Sequence, residues 1–234
     1  TYIISDSDMT RLLLIKRRKF PFSKIITIRD GMENVKLMSK EEIEDYKFNL
    51  GIRKDSPVLL ISGNLQEDRK GHIQLFNAIK IVCSKYPETL LLVVGNADRK
   101  REMTLKEIVR DLGLNKNILF LGYRKDIYEL NSISDITLTP SVGVESIPFT
   151  ILEGARVAKP VITTTAGACS EGVIDGQTGF IVQPFKIDQL VEKIIFLLDN
   201  KDLRKEMGLK SKILFLERFL LQRGVNKHLE LFNS

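Results

Sequence analysis

From residue 51 onward the chain alternates short apolar, β-branched runs with amphipathic stretches, and this alternation leaves few folds open to it. Pro57-Val58-Leu59-Leu60-Ile61 reads as a buried strand and 71–86 as a helix, with Ile73, Phe76, Ile79, Ile81 and Val82 roughly on one face. Residues 90–94 read as a second strand, 102–112 as a helix stopped by Gly113, and 117–121 as a third strand. A short helix over 126–131 leads to a fourth strand at 135–139. Pro148 suits the first turn of a helix running to Val157, because no amide donor is needed there. Fifth and sixth strands follow at 160–163 and 179–182, then helices near 187–198 and 202–215 and an amphipathic stretch over 216–232. Strands and helices in strict alternation specify an α/β chain: a parallel sheet of about six strands with helices on both faces. Ligands in such sheets bind beyond the carboxyl ends of the strands. The loops to search are therefore 62–71, 95–98, 121–126, 139–148 and 164–172.

The first 50 residues break the pattern, with strand signals only at Tyr2–Ile4 and Ile25–Ile28. From Met9 to Arg29 they carry seven basic residues and no acidic one, which leaves 29 basic against 30 acidic elsewhere. The main body is therefore not a basic nucleic-acid binder, despite a sequence pI of 9.2. The patch over residues 9–29 reads equally as a solvated helix end or as a peripheral contact with anionic lipid or an anionic acceptor. At 43% apolar residues, with 12 Phe, the chain is not disordered. The core runs stop at five residues, as in Leu90 to Val94, far short of the ~18 that cross a bilayer. Ser5-Asp6-Ser7-Asp8 cuts off the apolar start, so no signal peptide is expected. Cys83 and Cys169 lack metal-ligand spacing and read as reduced core thiols of a cytoplasmic protein.

Two loops carry chemistry. The first reads Gly63-Asn64-Leu65-Gln66-Glu67-Asp68-Arg69-Lys70-Gly71 and opens a helix. Helix-start amides beside a forked guanidinium and a point-charge ammonium suit phosphate oxygens. The spacing is neither a Walker A loop nor the GxGxxG fingerprint, and a solvated turn fits the residues as well. The second loop runs from Thr139 to Gly154 and places Glu145 ahead of a helix and Glu153 in its second turn. A carboxylate accepts from sugar hydroxyls, and the free amides of Phe149 and Thr150 are able to hold phosphate. The alternative reading has Glu145 capping the loop and Glu153 on an exposed helix face.

Glu145 to Glu153 resembles the E-x7-E motif of retaining GT-B glycosyltransferases, the "group 1" or family 4-like set. Further landmarks agree in order: Asp30-Gly31-Met32-Glu33, Lys70-Gly71, Leu121-Gly122-Tyr123, Leu152-Glu153-Gly154-Ala155, Lys159-Pro160-Val161-Ile162, and Asp175-Gly176-Gln177-Thr178-Gly179-Phe180. The resemblance covers roughly residues 24–220. It implies the C-terminal, Rossmann-like half of a two-domain enzyme, which binds a UDP-, GDP- or ADP-sugar and needs no cofactor or metal.

In that reading Lys70 and Arg69 neutralise the donor diphosphate and Glu145 holds the transferred sugar. Glu153 takes the ribose hydroxyls, Tyr123 and Arg124 the nucleobase, and the amides of Phe149 and Thr150 complete the phosphate cradle. Fixed cations and dipoles aimed at the departing diphosphate lower the barrier, and the sugar keeps its anomeric configuration. Asn64 departs from the resemblance, because the related proteins usually carry an Arg there that binds the diphosphate.

The resemblance divides the chain into a remnant of the acceptor-binding domain (1–23), a linker (24–50), the nucleotide-sugar domain (51–215) and a crossover helix (216–234). The expected activity is hexosyl transfer, weak or absent in this chain alone, to a sugar, lipid or protein acceptor held by a further domain or subunit. A non-catalytic subunit docking on a partner chain, and a different nucleotide-sugar enzyme such as an epimerase, are the alternatives. Asp6-Ser7-Asp8 has a metal-binding D-x-D form but reads as a helix N-cap. His72 reads as a surface residue, His228 as structural, and Glu171 as either structural or near the donor. Met and Phe at helical spacing read as core.

Overall fold

The computed structural model describes residues 2–233. Six strands form one parallel sheet: β3 (Val58–Ser62), β4 (Leu90–Val94), β5 (Ile118–Gly122), β6 (Ile136–Thr139), β7 (Val161–Thr164) and β8 (Gly179–Val182), ordered β5-β4-β3-β6-β7-β8. The chain builds outward from β3 through β4 to β5, then returns to lay β6 on the other side of β3. The loops leaving β3 and β6 therefore diverge, which opens a crevice at their carboxyl ends.

The sheet is buried on both faces, and successive side chains along β3 serve opposite cores. Leu59 and Ile61 pack with Leu75, Phe76 and Ile79 of α3 (His72–Lys85), together with residues of α4 (Arg99–Asp111) and α7 (Ile187–Asp199). Val58 and Leu60 pack with Leu130 and Ile133 of α5 (Ile127–Ile133) and with Ile43 and Tyr46 of α2 (Lys40–Asn49). A separate cluster joins Leu152 and Ala155 of α6 (Phe149–Arg156) to Leu214 and Phe215 of α8 (Lys201–Arg218). Helix α2 starts in a capping box, with Ser39 accepting from the Glu42 amide and Glu42 from the Ser39 amide.

The N-terminal strand signals form a small unit of their own. β1 (Ile3–Ser5) and β2 (Ile25–Thr27) pair in parallel, joined by α1 (Asp8–Arg18). Ser7 caps α1 by accepting from the Thr10 amide at 3.2 Å, so the Asp-Ser-Asp run is a helix start as expected. Lys16, Arg17 and Arg18 in its last turn complement the negative end of the helix dipole. The linker landmark has a packing reason. Met32 exchanges backbone hydrogen bonds with Phe219 and Leu221 (2.9 and 3.0 Å), and a Cβ on Gly31 would lie 2.8 Å from the Phe219 carbonyl oxygen. After α8 the chain thus meets the linker and continues into α9 (Leu221–Phe232). Among the described residues no helix is long and apolar enough to cross a membrane.

Several aromatic and sulfur side chains expected in the core lie outside it. Phe48, Phe149, Phe196, Phe232, Met9 and Met103 are exposed. Helical spacing identifies a face but not whether anything covers it. Cys169 is buried and Cys83 half-buried, and both are free thiols.

Candidate functional site

A cleft of about 800 Å³ opens at the crevice between β3 and β6, lined by Ser62, Gly63, Asn64, Lys70, Tyr123, Arg124, Phe149, Thr150 and Glu153 among others. Of the nine residues singled out in the sequence, seven line it. Arg69 and Glu145 sit just behind, tied to Lys70.

Gly71 sets this arrangement. Its φ of +77° is the left-handed conformation that glycine adopts without strain, and a Cβ there would lie 1.9 Å from the Pro140 carbonyl oxygen. The start of α3 therefore lies against the loop after β6. The Arg69 carbonyl accepts from the amides of Val142 (2.7 Å) and Gly143 (3.3 Å), which stitches the two loops together.

At the junction Glu145 has both oxygens occupied. Oε1 accepts from Ser141 Oγ at 2.6 Å, and Oε2 takes Lys70 Nζ at 2.5 Å and Arg69 Nη1 at 3.3 Å. The Glu145 side chain is 5% exposed and that of Lys70 18%. Glu145 is therefore neither a cap nor a solvated loop residue: it is the buried counter-charge of the cation pair. Arg101 fixes the other flank of the loop, donating from Nε to the Leu65 carbonyl at 3.1 Å and pairing with Asp68. Nothing in the sequence pattern marked it. Asn64 is engaged within its own loop, donating to Glu67 at 3.0 Å and accepting from the Gln66 amide at 3.0 Å.

Glu153 is also buried rather than on an exposed helix face. The Thr150 hydroxyl donates to the Ser62 carbonyl at 2.8 Å, which leaves the Ser62 hydroxyl to donate to Glu153 Oε2 at 2.7 Å. Burial raises the Glu153 carboxyl above its ordinary value, offset in part by Ser62. The amides of Phe149 and Thr150, in the first turn of α6, have no hydrogen-bond partner among the described residues. They are free donors at the positive end of a helix facing the cleft. Tyr123, 67% exposed, stands at the rim beside Arg124.

One expectation is corrected. His72 is 1% exposed rather than a surface residue, because it is the first residue of α3 and faces the core. Neither ring nitrogen has a hydrogen-bond partner among the described residues, and burial, reinforced by Arg101 and Lys70, pushes its pKa down to about 4. Between the ordinary value of 6.5 and about 4 the unfolded chain binds a proton that the folded chain refuses, so acid destabilises the fold through this window. The expected loss is roughly 3 kcal/mol on going from pH 7 to pH 4. Urea denaturation across that range checks it: His72→Leu should flatten the slope. Glu153 acts with the opposite sign above the ordinary carboxylate range, so the paired comparison isolates the histidine. Glu171, for which two readings were open, does not line the cleft. Its carboxylate accepts from the Asp8 and Met9 amides at the start of α1 (3.1 and 2.7 Å) and from Arg29 (3.1 Å). With the Ser146 hydroxyl donating to Asp6 at 2.5 Å, it fastens the N-terminal unit to the body.

A cleft at a topological switch point, with cations and helix amides at one end and buried carboxylates beside them, suits a phosphorylated, hydroxyl-rich ligand. The sequence profile of the family described as "Glycosyl transferases group 1" matches residues 42–214. The chain belongs to this family. Its relatives include the trehalose synthase of Thermococcus litoralis, 28% identical over 173 residues, a match that takes in 70% of this chain and 41% of that protein. A glycosyltransferase crystal structure from Rickettsia africae superposes with a TM-score of 0.91 at 26% identity, covering 99% of this chain and 62% of that one. The Anabaena protein HepE, solved in complex with UDP-glucose, superposes equally well at 22% identity over 100% of this chain and 64% of that one. The fold is thus that of part of the GT-B architecture. This group 1 chain spans less than two thirds of the length of each of these proteins.

Proposed function

We propose that the cleft binds a nucleoside-diphosphate sugar, and that the chain is the donor-binding part of a retaining, metal-independent hexosyltransferase. The observation that carries this reading is the convergence of Lys70 and the free amides of Phe149 and Thr150 on one cleft whose wall also holds Glu153. Lys70, with Arg69 behind it, neutralises the diphosphate, and the α6 amides hold its oxygens. Glu153, already accepting one hydroxyl from Ser62, is suited to take ribose hydroxyls. Glu145 is assigned the transferred sugar, which it can reach only once phosphate competes for its cations. As the glycosidic bond breaks, negative charge builds on the departing diphosphate, and the fixed cations and helix dipole stabilise it without reorganising. Asn64, where an Arg is usual in the resemblance, supplies an amide rather than a charge, and Arg69 makes up the second cation. The acceptor site is assigned to the portion of the related proteins that this chain does not span. Further support comes from HepE, a fold relative that was solved with UDP-glucose.

Calorimetric titration with UDP, GDP and ADP tests the proposal. At least one should bind in the micromolar to millimolar range, in competition with inorganic pyrophosphate. Binding of none of them overturns it.

A further inference from the structure

A second cavity, of about 130 Å³, lies where the end of α8, the start of α9 and the segment after β2 meet. It is lined by Arg29, Glu217, Arg218, Arg223, Gly224 and Lys227, and shares no residue with the lining of the cleft. The chain turns between α8 and α9 at Phe219 and Leu220, where Met32 holds it by two backbone hydrogen bonds. That turn brings Arg218, in the last turn of α8, beside Arg223, in the first turn of α9. Gly224 allows the close fit, since a Cβ there would lie 3.2 Å from the Arg29 carbonyl oxygen.

The lining sets four cations against one carboxylate, Glu217. Arg29 is partly answered from outside the cavity, because its Nη2 donates to Asp8 and, at 3.1 Å, to Glu171. Its Nε is buried and has no hydrogen-bond partner. Arg223 donates from Nε to the Leu216 carbonyl at 3.0 Å, which leaves its two terminal nitrogens free among the described residues. Arg218 and Lys227 have no side-chain partner there at all. Elsewhere on α8 the cations are answered one turn away, as in Lys210 with Glu206. Arg223 and Lys227 instead stand four apart on one helix, where like charges repel.

We propose that this cavity is a second anion site, which takes a single soluble phosphate group between Arg29, Arg218, Arg223 and Lys227. A tetrahedral oxyanion accepts from every side, so it relieves the repulsion and gives the orphaned Nε an acceptor. Size points the same way. At about 30 Å³ per water, the space holds one oxyanion and a water or two, and pockets for whole organic ligands start near 300 Å³. A lipid headgroup carries the same chemistry, but the helix geometry disfavours it. The exposed apolar residues of α9 are Leu221, Val225, Leu229 and Phe232. At 100° per residue, Arg223 and Lys227 stand about 120° or more around the helix from that stripe. A bilayer meeting the stripe does not meet the cavity. The bound anion would tie α8, α9 and the segment after β2 together at their junction.

The experiment follows backbone amide signals of the ¹⁵N-labelled intact chain by NMR, with inorganic phosphate titrated against sodium chloride of equal ionic strength. The Arg223 and Gly224 signals should shift saturably with phosphate, half-way in the millimolar range. In the double variant Arg218→Gln, Lys227→Gln the half-point should rise by about tenfold or more. Both residues are exposed, so the fold is expected to survive. Lys70→Ala should leave the half-point within about twofold, which separates this site from the cleft. Equal shifts in chloride, or an unchanged half-point in the double variant, overturn the proposal. Co-sedimentation with phosphatidylcholine vesicles, with and without phosphatidylglycerol, separates the two phosphate sources. The expected result is no retention that depends on Arg218 and Lys227. Retention on phosphatidylglycerol that the double variant loses would overturn the assignment to a soluble phosphate.

Discussion

Lys70→Ala is expected to weaken binding of a nucleoside diphosphate by about 30-fold or more, the equivalent of about 2 kcal/mol for one lost charge-assisted hydrogen bond. The effect should be large because the cation has no substitute at its position. Arg69 reaches Glu145 only at 3.3 Å and is also paired with Glu67. Asn64 carries no charge. The variant also changes the folded state, since Glu145 is buried and loses its closest partner. Ser141 and Arg69 remain, so the chain should still fold with a modestly lower melting temperature. The measurement therefore pairs calorimetric titration with thermal melting at the titration temperature. Lys70→Arg should recover part of the affinity, because the charge returns on a larger group. If Lys70→Ala binds the diphosphate as the unaltered chain does, Lys70 is no phosphate ligand and its pairing with Glu145 is purely structural.

The second large effect is on stability. Gly71→Ala is expected to cost about 4 kcal/mol, visible as a melting temperature lower by about 10 °C. A left-handed φ contributes about 1 kcal/mol of this. The remainder comes from a Cβ that would lie 1.9 Å from the Pro140 carbonyl oxygen, so the start of α3 must move away from the loop after β6. That displacement carries Lys70 away from Glu145, and nucleotide binding should fall with stability. Gly113→Ala is the control. Its φ of +74° is similar but open space surrounds it, so only about 1 kcal/mol is expected there. Equal small effects for both variants would show that the Lys-Gly pair does not lock the two loops.

The same contrast explains what the sequence made legible. The strands of the sheet were readable because β3, β4 and β6 are buried on both faces and appear as short apolar runs. Lys70-Gly71 and Glu145 stand out in the sequence through the resemblance and the order of its landmarks, because a solvated turn and a loop cap fit those residues as well. Their mutual pairing is not legible, since it depends on β6 lying beside β3 and on the backbone bonds from Val142 and Gly143 to the Arg69 carbonyl. His72 is not legible as buried because a polar residue at a helix start ordinarily faces water, whereas here it is 1% exposed. Glu171 had two readings open, and the position of α1 decided between them.

A crystal structure of the chain with its tightest-binding nucleoside diphosphate tests the central claim most directly. The account predicts diphosphate oxygens within hydrogen-bond reach of Lys70 Nζ and the amides of Phe149 and Thr150, with ribose hydroxyls on Glu153. A nucleotide bound elsewhere on the surface at saturating concentration, with the cleft between β3 and β6 empty, would contradict it.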